Sequence, residues 1–159
     1  MKERIGVYAG SFDPFTNGHL DIVRQAVEYF DKVIVLVAVN PSKKPLFSME
    51  ERVEMIQEVL QETKLRNVEV DSWEGATVVY AAKHRAKFLI RGLRTVSDFE
   101  AELMNAHMNL SVRPSARTVF LPASQRAGLI SSSGVRVAAL VGRIQRGALP
   151  RTVERRRGK

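Results

Sequence analysis

Residues 8–19 read Y-A-G-S-F-D-P-F-T-N-G-H, and the interpretation of the whole chain starts from this stretch. An apolar run, Arg4–Ala9, leads into it, and apolar residues recur at helical spacing after it. This order predicts a strand, a loop and a helix. Gly10, Pro14 and Gly18 break regular structure in the loop and let the backbone approach a ligand. The stretch therefore has the composition of a ligand-binding turn.

The helix after the loop is expected to begin close to a histidine. Thr16 or Asn17 can cap the helix, which puts His19 in its first turn. Free N–H groups and the positive end of a helix make an anion site, and the imidazole adds a donor aimed at the same place. We interpret His19 as a group that stabilises charge on a nucleotide phosphate, although a lone histidine is usually packed or solvent-facing. His84 and His107 lack this context, and we expect a surface position and a helix-packing role for them.

Composition is typical of a soluble globular protein with one domain, residues 1–159. Of the 159 residues, 45% are apolar and 26% charged, and none is cysteine. Disulfides and thiolate chemistry are therefore excluded. We see no apolar run of about 18 residues and no signal peptide, so we expect a cytoplasmic protein that does not span a membrane.

The positive charge is concentrated in the second half of the chain. Residues 1–102 contain 14 Lys and Arg against 16 Asp and Glu, whereas residues 103–159 contain 11 against one. This asymmetry indicates an anionic partner: nucleic acid, a phosphorylated small molecule or an acidic surface on a second subunit. The basic tail, about 143–159, is more often a solvated, frayed end than a binding arm.

Strand and helix patterns alternate along the chain. This alternation predicts a Rossmann-like, doubly wound α/β fold with a five-stranded parallel sheet and helices on both faces. Two capping boxes are expected, one from Ser48 to Glu51 and one from Ser97 to Glu100. The predicted strands are Arg4–Ala9, Val33–Val39, Asn67–Val70, Phe88–Ile90 and Thr118–Leu121; the predicted helices are Gly18–Phe30, one from Ser48, Ala76–His84, Ser97–Leu110, one after the serine run 131–133 and a short one after Pro150.

Polar loops follow the carboxyl ends of several predicted strands, where doubly wound sheets bind their ligands. Lys43 and Lys44 follow the second strand, and one of them can act as a point charge on a phosphate, although such a pair is usually solvated. Arg91 and Arg94 leave the fourth strand. We favour phosphate contact for both arginines, and salt bridges to Asp98 or Glu102 are the alternative.

The serine run Ser131–Ser133, followed by Arg136, leads into the fifth helix. It can be a simple helix cap or a second anion cradle. The chain has no Walker A motif, dinucleotide fingerprint, zinc-type cluster or hydrolase elbow. The donors indicate phosphoryl or nucleotidyl transfer by positioning and charge stabilisation. A nucleic-acid-binding module is the alternative of another class, but no aromatic stacking platform accompanies the arginines.

Four motifs, in their order and spacing, carry a family resemblance. They are G-S-F-D-P-F-T-N-G-H, N-P-S-K-K-P, I-R-G-L-R-T-V-S-D-F-E-A-E-L-M-N-A-H-M-N and I-S-S-S-G-V-R. From about Ile5 to Val141 the chain resembles the bacterial phosphopantetheine adenylyltransferases, in the nucleotidyltransferase superfamily with the T/H-x-G-H signature. The resemblance implies adenylyl transfer from ATP to 4′-phosphopantetheine, giving dephospho-coenzyme A and pyrophosphate without a covalent intermediate. A related enzyme acting on another phosphorylated acceptor is the alternative.

The resemblance also implies the site residues and the partners. His19 stabilises the transition state, and Lys43 and Arg91 complete the catalytic set. Mg²⁺ accompanies the nucleotide without a protein metal site, the subunits form a homohexamer, and coenzyme A acts as feedback inhibitor. Neither nucleic acid nor a membrane is an expected partner. Phosphopantetheine is held by Ser11, Lys43, Thr77 and Arg91; ATP is held by Ser11, Phe12, His19, Gly92, Leu93, Arg94, Glu102, Ala127, Gly128, Leu129, Ile130, Ser131, Ser132 and Ser133.

Overall fold

The computed structural model describes residues 3–39 and 44–156. Within these residues five parallel strands form one sheet in the order β3-β2-β1-β4-β5, as the alternating pattern predicts. The strands are β1 Ile5–Gly10, β2 Lys32–Ala38, β3 Val68–Trp73, β4 Phe88–Leu93 and β5 Arg117–Pro122; the helices are α1 Asn17–Tyr29, α2 Met49–Thr63, α3 Thr77–Lys83, α4 Val96–Val112, α5 Ser132–Leu140 and α6 Arg151–Arg156.

Helices cover both faces of the sheet because its central strands are apolar on both sides. In β2, Val33, Val35 and Val37 face one layer of the core, and Ile34 and Leu36 face the other. Buried residues of α1, α2, α5 and α6 belong to the first layer, and those of α3 belong to the second. A continuous apolar strand is typical of a parallel sheet that is covered on both faces.

The strand order reverses between β1 and β4. The chain runs outward from β1 through β2 to β3, then returns to place β4 on the other side of β1. In a doubly wound sheet a crevice opens at such a reversal, beyond the carboxyl ends of the two strands. The loop after β1 and the residues at the end of β4 therefore meet at one place.

Two predicted boundaries are wrong at the start of α4. Arg91, predicted to leave its strand, lies inside β4, because the strand extends to Leu93 beside β5. The helix cap is Thr95, whose side chain accepts a hydrogen bond from the Asp98 N–H. The predicted cap, Ser97, lies inside the helix. The capping box from Ser48 to Glu51, in contrast, is present as predicted.

The C-terminal segment packs against the domain as far as the structure describes it. The short helix expected after Pro150 is present as α6, and Val153 on it is 3% exposed. Arg156 forms ion pairs with Glu54 and Glu58 of α2. Up to Arg156 the segment is therefore not the frayed end that its composition favours. Within the described residues no helix is long and apolar enough to cross a membrane.

Candidate active site

The first turn of α1 fixes the orientation of His19. Thr16 is the N-cap, and His19 occupies the third position of the helix. The backbone N–H of Thr16 donates to Nδ1 of His19 over 3.0 Å, while the His19 N–H donates to the Thr16 hydroxyl over 3.4 Å. A backbone N–H can only donate, so Nδ1 must accept. The neutral imidazole therefore carries its proton on Nε2.

The surroundings of His19 keep its ring neutral. The ring lies against Phe12 and Phe15, with centroid separations of 5.0 and 5.5 Å. Burial, with a smaller contribution from the positive charge of Arg94, lowers the pKa of His19 from 6.5 to about 3. Removing an imidazolium from water is costly, and a neighbouring cation adds to the cost. At neutral pH the ring is a neutral hydrogen-bond donor through Nε2.

Several N–H groups at the start of α1 already have partners inside the protein. Thr16 and His19 use theirs within the cap, and Asn17 donates its backbone N–H to the carbonyl of Ala148 over 2.9 Å. The expectation that free N–H groups of this turn bind the anion is wrong for these three groups. The imidazole of His19, through Nε2, is a donor that this turn keeps for a ligand.

Gly18 lets a neighbouring loop lie directly against this turn. A Cβ at this position would lie 2.9 Å from the carbonyl oxygen of Ile130 and 3.4 Å from that of Ala127. A contact of 2.9 Å with a backbone atom is sterically excluded, so the loop requires glycine here. Sequence reasoning found this glycine through the turn composition, but its packing role depends on residues more than 100 positions away.

Arg91 and Arg94 both form the ion pairs that were the alternative to phosphate contact. Arg91 donates from Nε to Glu102 over 2.6 Å and from Nη1 to the carbonyl of Ala9 over 2.9 Å. Arg94 donates from Nε to Asp98 over 3.2 Å. A guanidinium has five N–H donors, so these bonds leave donors on both arginines for a ligand. Phosphate contact stays a prediction.

The serine run caps α5 and anchors it to the loop after β1. The Ser131 hydroxyl accepts the Gly134 N–H over 3.0 Å, as a helix cap does. The Ser132 hydroxyl donates to the carbonyl of Pro14 over 2.9 Å. Arg136 donates to the Ser133 hydroxyl over 3.2 Å and also contacts Asp13. The cap interpretation is confirmed, and the anion cradle stays a prediction.

Asp13 and Arg52 are site-forming residues that sequence reasoning missed. The Asp13 carboxylate, 4% exposed, accepts the N–H groups of Leu46 and Phe47 over 2.8 and 3.0 Å. Arg52, 5% exposed, donates to the carbonyl of Ser11 over 2.7 Å. An acid among aromatic residues in a Gly/Pro loop was the available signal for Asp13. Nothing in the pattern of α2 distinguishes Arg52 from a surface arginine.

Most of the predicted nucleotide residues line one cavity of about 280 Å³ at the reversal between β1 and β4. Leu93 and Ala127–Leu129 do not line it, and Leu129 is 85% exposed. The predicted residues that do are Ser11, Phe12, His19, Gly92, Arg91, Arg94, Glu102, Ile130, Ser131, Ser132 and Ser133.

A second cavity, of about 250 Å³, adjoins the first on the α3 side of the sheet. Thr77 lines it together with Asn109. Both cavities are bounded by Arg91 and Glu102, so this ion pair stands between them. Thr77 and Arg91, predicted to hold one substrate, therefore share a cavity. Lys43 lies outside the described residues.

His84 and His107 are both exposed, which confirms the surface position of His84 and makes the packing role of His107 wrong within this chain. His107 lies on α4 beside exposed apolar side chains. Met104, Met108 and Val112, spaced four residues apart, are each more than 60% exposed. The helix thus presents an apolar stripe that residues 3–39 and 44–156 leave exposed.

Solved structures of other proteins share this fold. A structure from Vibrio parahaemolyticus, provisionally described as a nicotinate-nucleotide adenylyltransferase, matches with a TM-score of 0.74 and 14% identity, over 99% of this chain and 100% of that one. A bifunctional NMN adenylyltransferase/ADP ribose pyrophosphatase from Francisella tularensis matches with a TM-score of 0.66 and 19% identity, over 93% of this chain and 44% of that one. Similarities at this identity establish the fold alone.

Comparison of sequences establishes the class and then the family. The family model described as cytidylyltransferase-like matches residues 7–138, which defines the class. Phosphopantetheine adenylyltransferases from Carboxydothermus hydrogenoformans and Desulforudis audaxviator are each 49% identical, over 95% and 96% of this chain and 92% of each relative. One from Gloeothece citriformis is 51% identical over 87% of both chains. The chain belongs to the phosphopantetheine adenylyltransferase family.

Proposed function

We propose that the protein transfers the adenylyl group of ATP to 4′-phosphopantetheine, giving dephospho-coenzyme A and pyrophosphate in the penultimate step of coenzyme A synthesis. The observation that carries the proposal is the cavity at the reversal between β1 and β4. It brings the Nε2 donor of His19, the guanidinium groups of Arg91 and Arg94 and the serine run of α5 to one place. These are donors for phosphate, and family membership selects the substrates.

The reaction proceeds by direct in-line attack. A phosphate oxygen of phosphopantetheine forms a bond to the α-phosphorus of ATP while the bond from that phosphorus to the bridging oxygen breaks. The electron pair of the broken bond leaves with pyrophosphate, so no covalent enzyme intermediate forms. His19 donates from Nε2 to a non-bridging α-phosphoryl oxygen as charge grows on it. A neutral donor that is already oriented needs little reorganisation at that moment.

The two adjoining cavities correspond to the two substrates. ATP occupies the cavity lined by His19 and Arg94, and the acceptor occupies the one lined by Thr77. Arg91 belongs to both and lies where the reacting phosphates meet. Ser11 lines the ATP cavity. Its contact with the acceptor, like that of Lys43 with the acceptor phosphate, is proposed from family resemblance. Leu93 and the loop Ala127–Leu129 contact the nucleotide from outside the cavity wall.

Mg²⁺ enters with the nucleotide and shields its phosphates. Within residues 3–39 and 44–156 no group of three or more His, Cys, Asp or Glu residues could hold a metal ion. The triphosphate oxygens, which are hard ligands of the kind Mg²⁺ prefers, hold the cation. Pyrophosphate release measured without Mg²⁺ and at saturating Mg²⁺ compares free ATP with its magnesium complex.

The protein works in the cytoplasm as a homo-oligomer, a hexamer by family resemblance, with coenzyme A as feedback inhibitor. The apolar stripe of α4, Met104, Met108 and Val112, supports burial against another subunit. Exposed contiguous apolar patches of this kind mark interaction sites. Sedimentation equilibrium with the Met108→Lys variant tests the contact, because a charge at its centre should dissociate the oligomer.

An acceptor and nucleotide screen tests the proposed reaction. Pyrophosphate release is expected only when ATP and phosphopantetheine are both present. CTP in place of ATP, and pantetheine or nicotinate mononucleotide in place of phosphopantetheine, are the comparisons. Turnover with another acceptor at a higher kcat/KM would overturn the substrate assignment. Pyrophosphate release from ATP alone would overturn the two-substrate reaction.

A further inference from the structure

The C-terminal segment Ile144–Arg156 holds the helix that carries His19. It runs from the end of α5 across the N-terminus of α1 and then onto α2. We propose that this segment positions His19 for catalysis through Asn17, which makes Asn17 a positioning residue of the reaction. The proposal rests on the proposed adenylyl transfer for its kinetic readout only.

One end of the connection lies at the first residue of α1. The backbone N–H of Asn17 donates to the carbonyl of Ala148 over 2.9 Å, and its side-chain amide donates to the carbonyl of Gly147 over 2.8 Å. Gly147 has a φ of +80°, a backbone conformation that glycine adopts readily. Two consecutive carbonyls of the segment therefore accept hydrogen bonds from the same residue, which lies two positions before His19.

The other end is fixed on α2. Arg156 pairs with Glu54 and Glu58, and Thr152 donates from its hydroxyl to Glu62 over 3.3 Å. Between the two ends, Leu149 is 5% exposed and Val153 3% exposed, and both belong to the core on this face of the sheet. The segment is thus anchored by burial in its middle and by ion pairs at its end.

The contact between Asn17 and the C-terminal segment lies outside the cavity that His19 lines. Asn17 does not line the cavity of His19; it lines a separate groove, with Arg146 and Pro150. Its side-chain amide is bonded to the carbonyl of Gly147 in that groove. Asn17 can act by fixing the start of the helix, and the cap that binds Nδ1 of His19 is the residue immediately before it. A displacement of the reacting groups by about 1 Å can cost about 100-fold in rate.

The test compares two variants that break opposite ends of the connection with a charge-matched control. Asn17→Ala removes the bond to Gly147, and Arg156→Ala removes the ion pairs on α2. Arg155→Ala changes the same charge at an exposed neighbour. We expect kcat to fall about tenfold for Asn17→Ala and about threefold for Arg156→Ala, the range of one hydrogen bond, with the KM for ATP unchanged. Arg156→Lys should restore most of the loss.

A second measurement does not depend on turnover. Hydrogen exchange of the Leu20 amide, which donates to the Thr16 carbonyl, reports the order of the first turn of α1. It should quicken in Asn17→Ala and Arg156→Ala and stay unchanged in Arg155→Ala. In the double variant, the loss in kcat should be smaller than the product of the two single losses, because both changes weaken one connection.

The positioning role is overturned if Arg156→Ala matches Arg155→Ala in kcat and in the exchange rate of the Leu20 amide. It is overturned as well if the KM for ATP rises in Asn17→Ala and Arg156→Ala while kcat is unchanged. It is also overturned if the two losses multiply in the double variant. A wild-type protein without adenylyl transfer refutes the proposed function instead. The exchange measurements then still decide whether the segment orders the start of α1.

Discussion

The loop after β1 and the segment from β4 into α4 face the same cavity but treat their polar groups differently. In the first, residues 10–19, polar groups bond to one another or to neighbouring backbone, and the imidazole of His19 is neutral. In the second, residues 91–102, the cations are held in ion pairs, Arg91 with Glu102 and Arg94 with Asp98. One region supplies an oriented donor, and the other supplies charge.

This difference separates two free-energy costs of binding a phosphate: the cost of orienting a donor and the cost of competing with an existing ion pair. A donor whose orientation is fixed by the Thr16 cap needs no rearrangement when the ligand arrives. The guanidinium of Arg91 is already matched by a carboxylate, so an incoming phosphate has to share it. Such a pair avoids an uncompensated cation in a half-buried position when no substrate is bound.

The largest effect is expected for His19→Ala. Loss of the oriented donor should lower kcat about 10²- to 10³-fold while the Kd for ATP changes little, because the donor acts chiefly on charge in the transition state. Single-turnover kinetics and calorimetric titration with ATP measure the two quantities. The exposed His84→Ala is the matched control. Undiminished turnover would refute the role of His19.

Arg91→Ala should have the next largest effect. It removes a donor shared by both cavities and leaves Glu102 without its partner, so kcat/KM for phosphopantetheine should fall about 10- to 100-fold. Arg91→Lys keeps the charge but loses the planar donor geometry, and it should recover only part of the loss. If Arg91→Ala changed ATP binding alone, Arg91 would belong to the nucleotide cavity and not to the boundary.

Arg94→Ala should cost less, about threefold in the KM for ATP. Its side chain is 38% exposed and its partner Asp98 28% exposed, so solvent screens the pair. Raising the salt concentration should reduce the difference between wild type and Arg94→Ala more than it reduces the effect of Arg91→Ala. Equal salt sensitivity of the two variants would contradict this ranking.

The smallest effect is expected for the pH dependence of kcat, to which His19 should contribute no titration step. Its pKa is lowered to about 3 in the folded protein, so protonation of its ring should not change kcat between about pH 5 and 8. The unfolded chain binds this proton from about pH 6.5 downward, so His19 should reduce stability as the pH falls from 6.5 toward 3. Urea unfolding of wild type and His19→Gln measures the difference in the free energy of unfolding, which should stop changing with pH above about pH 7.

The sequence was informative where a function depends on neighbours along the chain. The position of His19 in the first turn follows from Thr16 three residues earlier, and the cap from Ser48 to Glu51 follows in the same way. The parallel sheet follows from continuous apolar strands between amphipathic helices. Local hydrogen bonds and burial periodicity are properties of short segments, so a pattern can predict them.

Pairings between distant residues could not be predicted from the sequence, because several possible partners were chemically equivalent. Arg91 could meet Glu102 or a phosphate, and the tertiary contact between β4 and α4 decided for the ion pair in the free protein. Asp13 meets the N–H groups of Leu46 and Phe47 because the loop after β2 folds over it. The basic C-terminal composition favoured a frayed end, and buried Val153 decided otherwise.

The sequence by itself determined the alternation of elements, the turn that carries His19 and the family to which the chain belongs. The tertiary structure alone decided that Asn17 at the start of α1 is bonded to two carbonyls of the C-terminal segment and that an ion pair separates the two cavities. The physical reason is that hydrophobic periodicity and helix capping act over a few residues. Hydrogen bonds and charges select partners by distance in space, which exists only after the chain has folded.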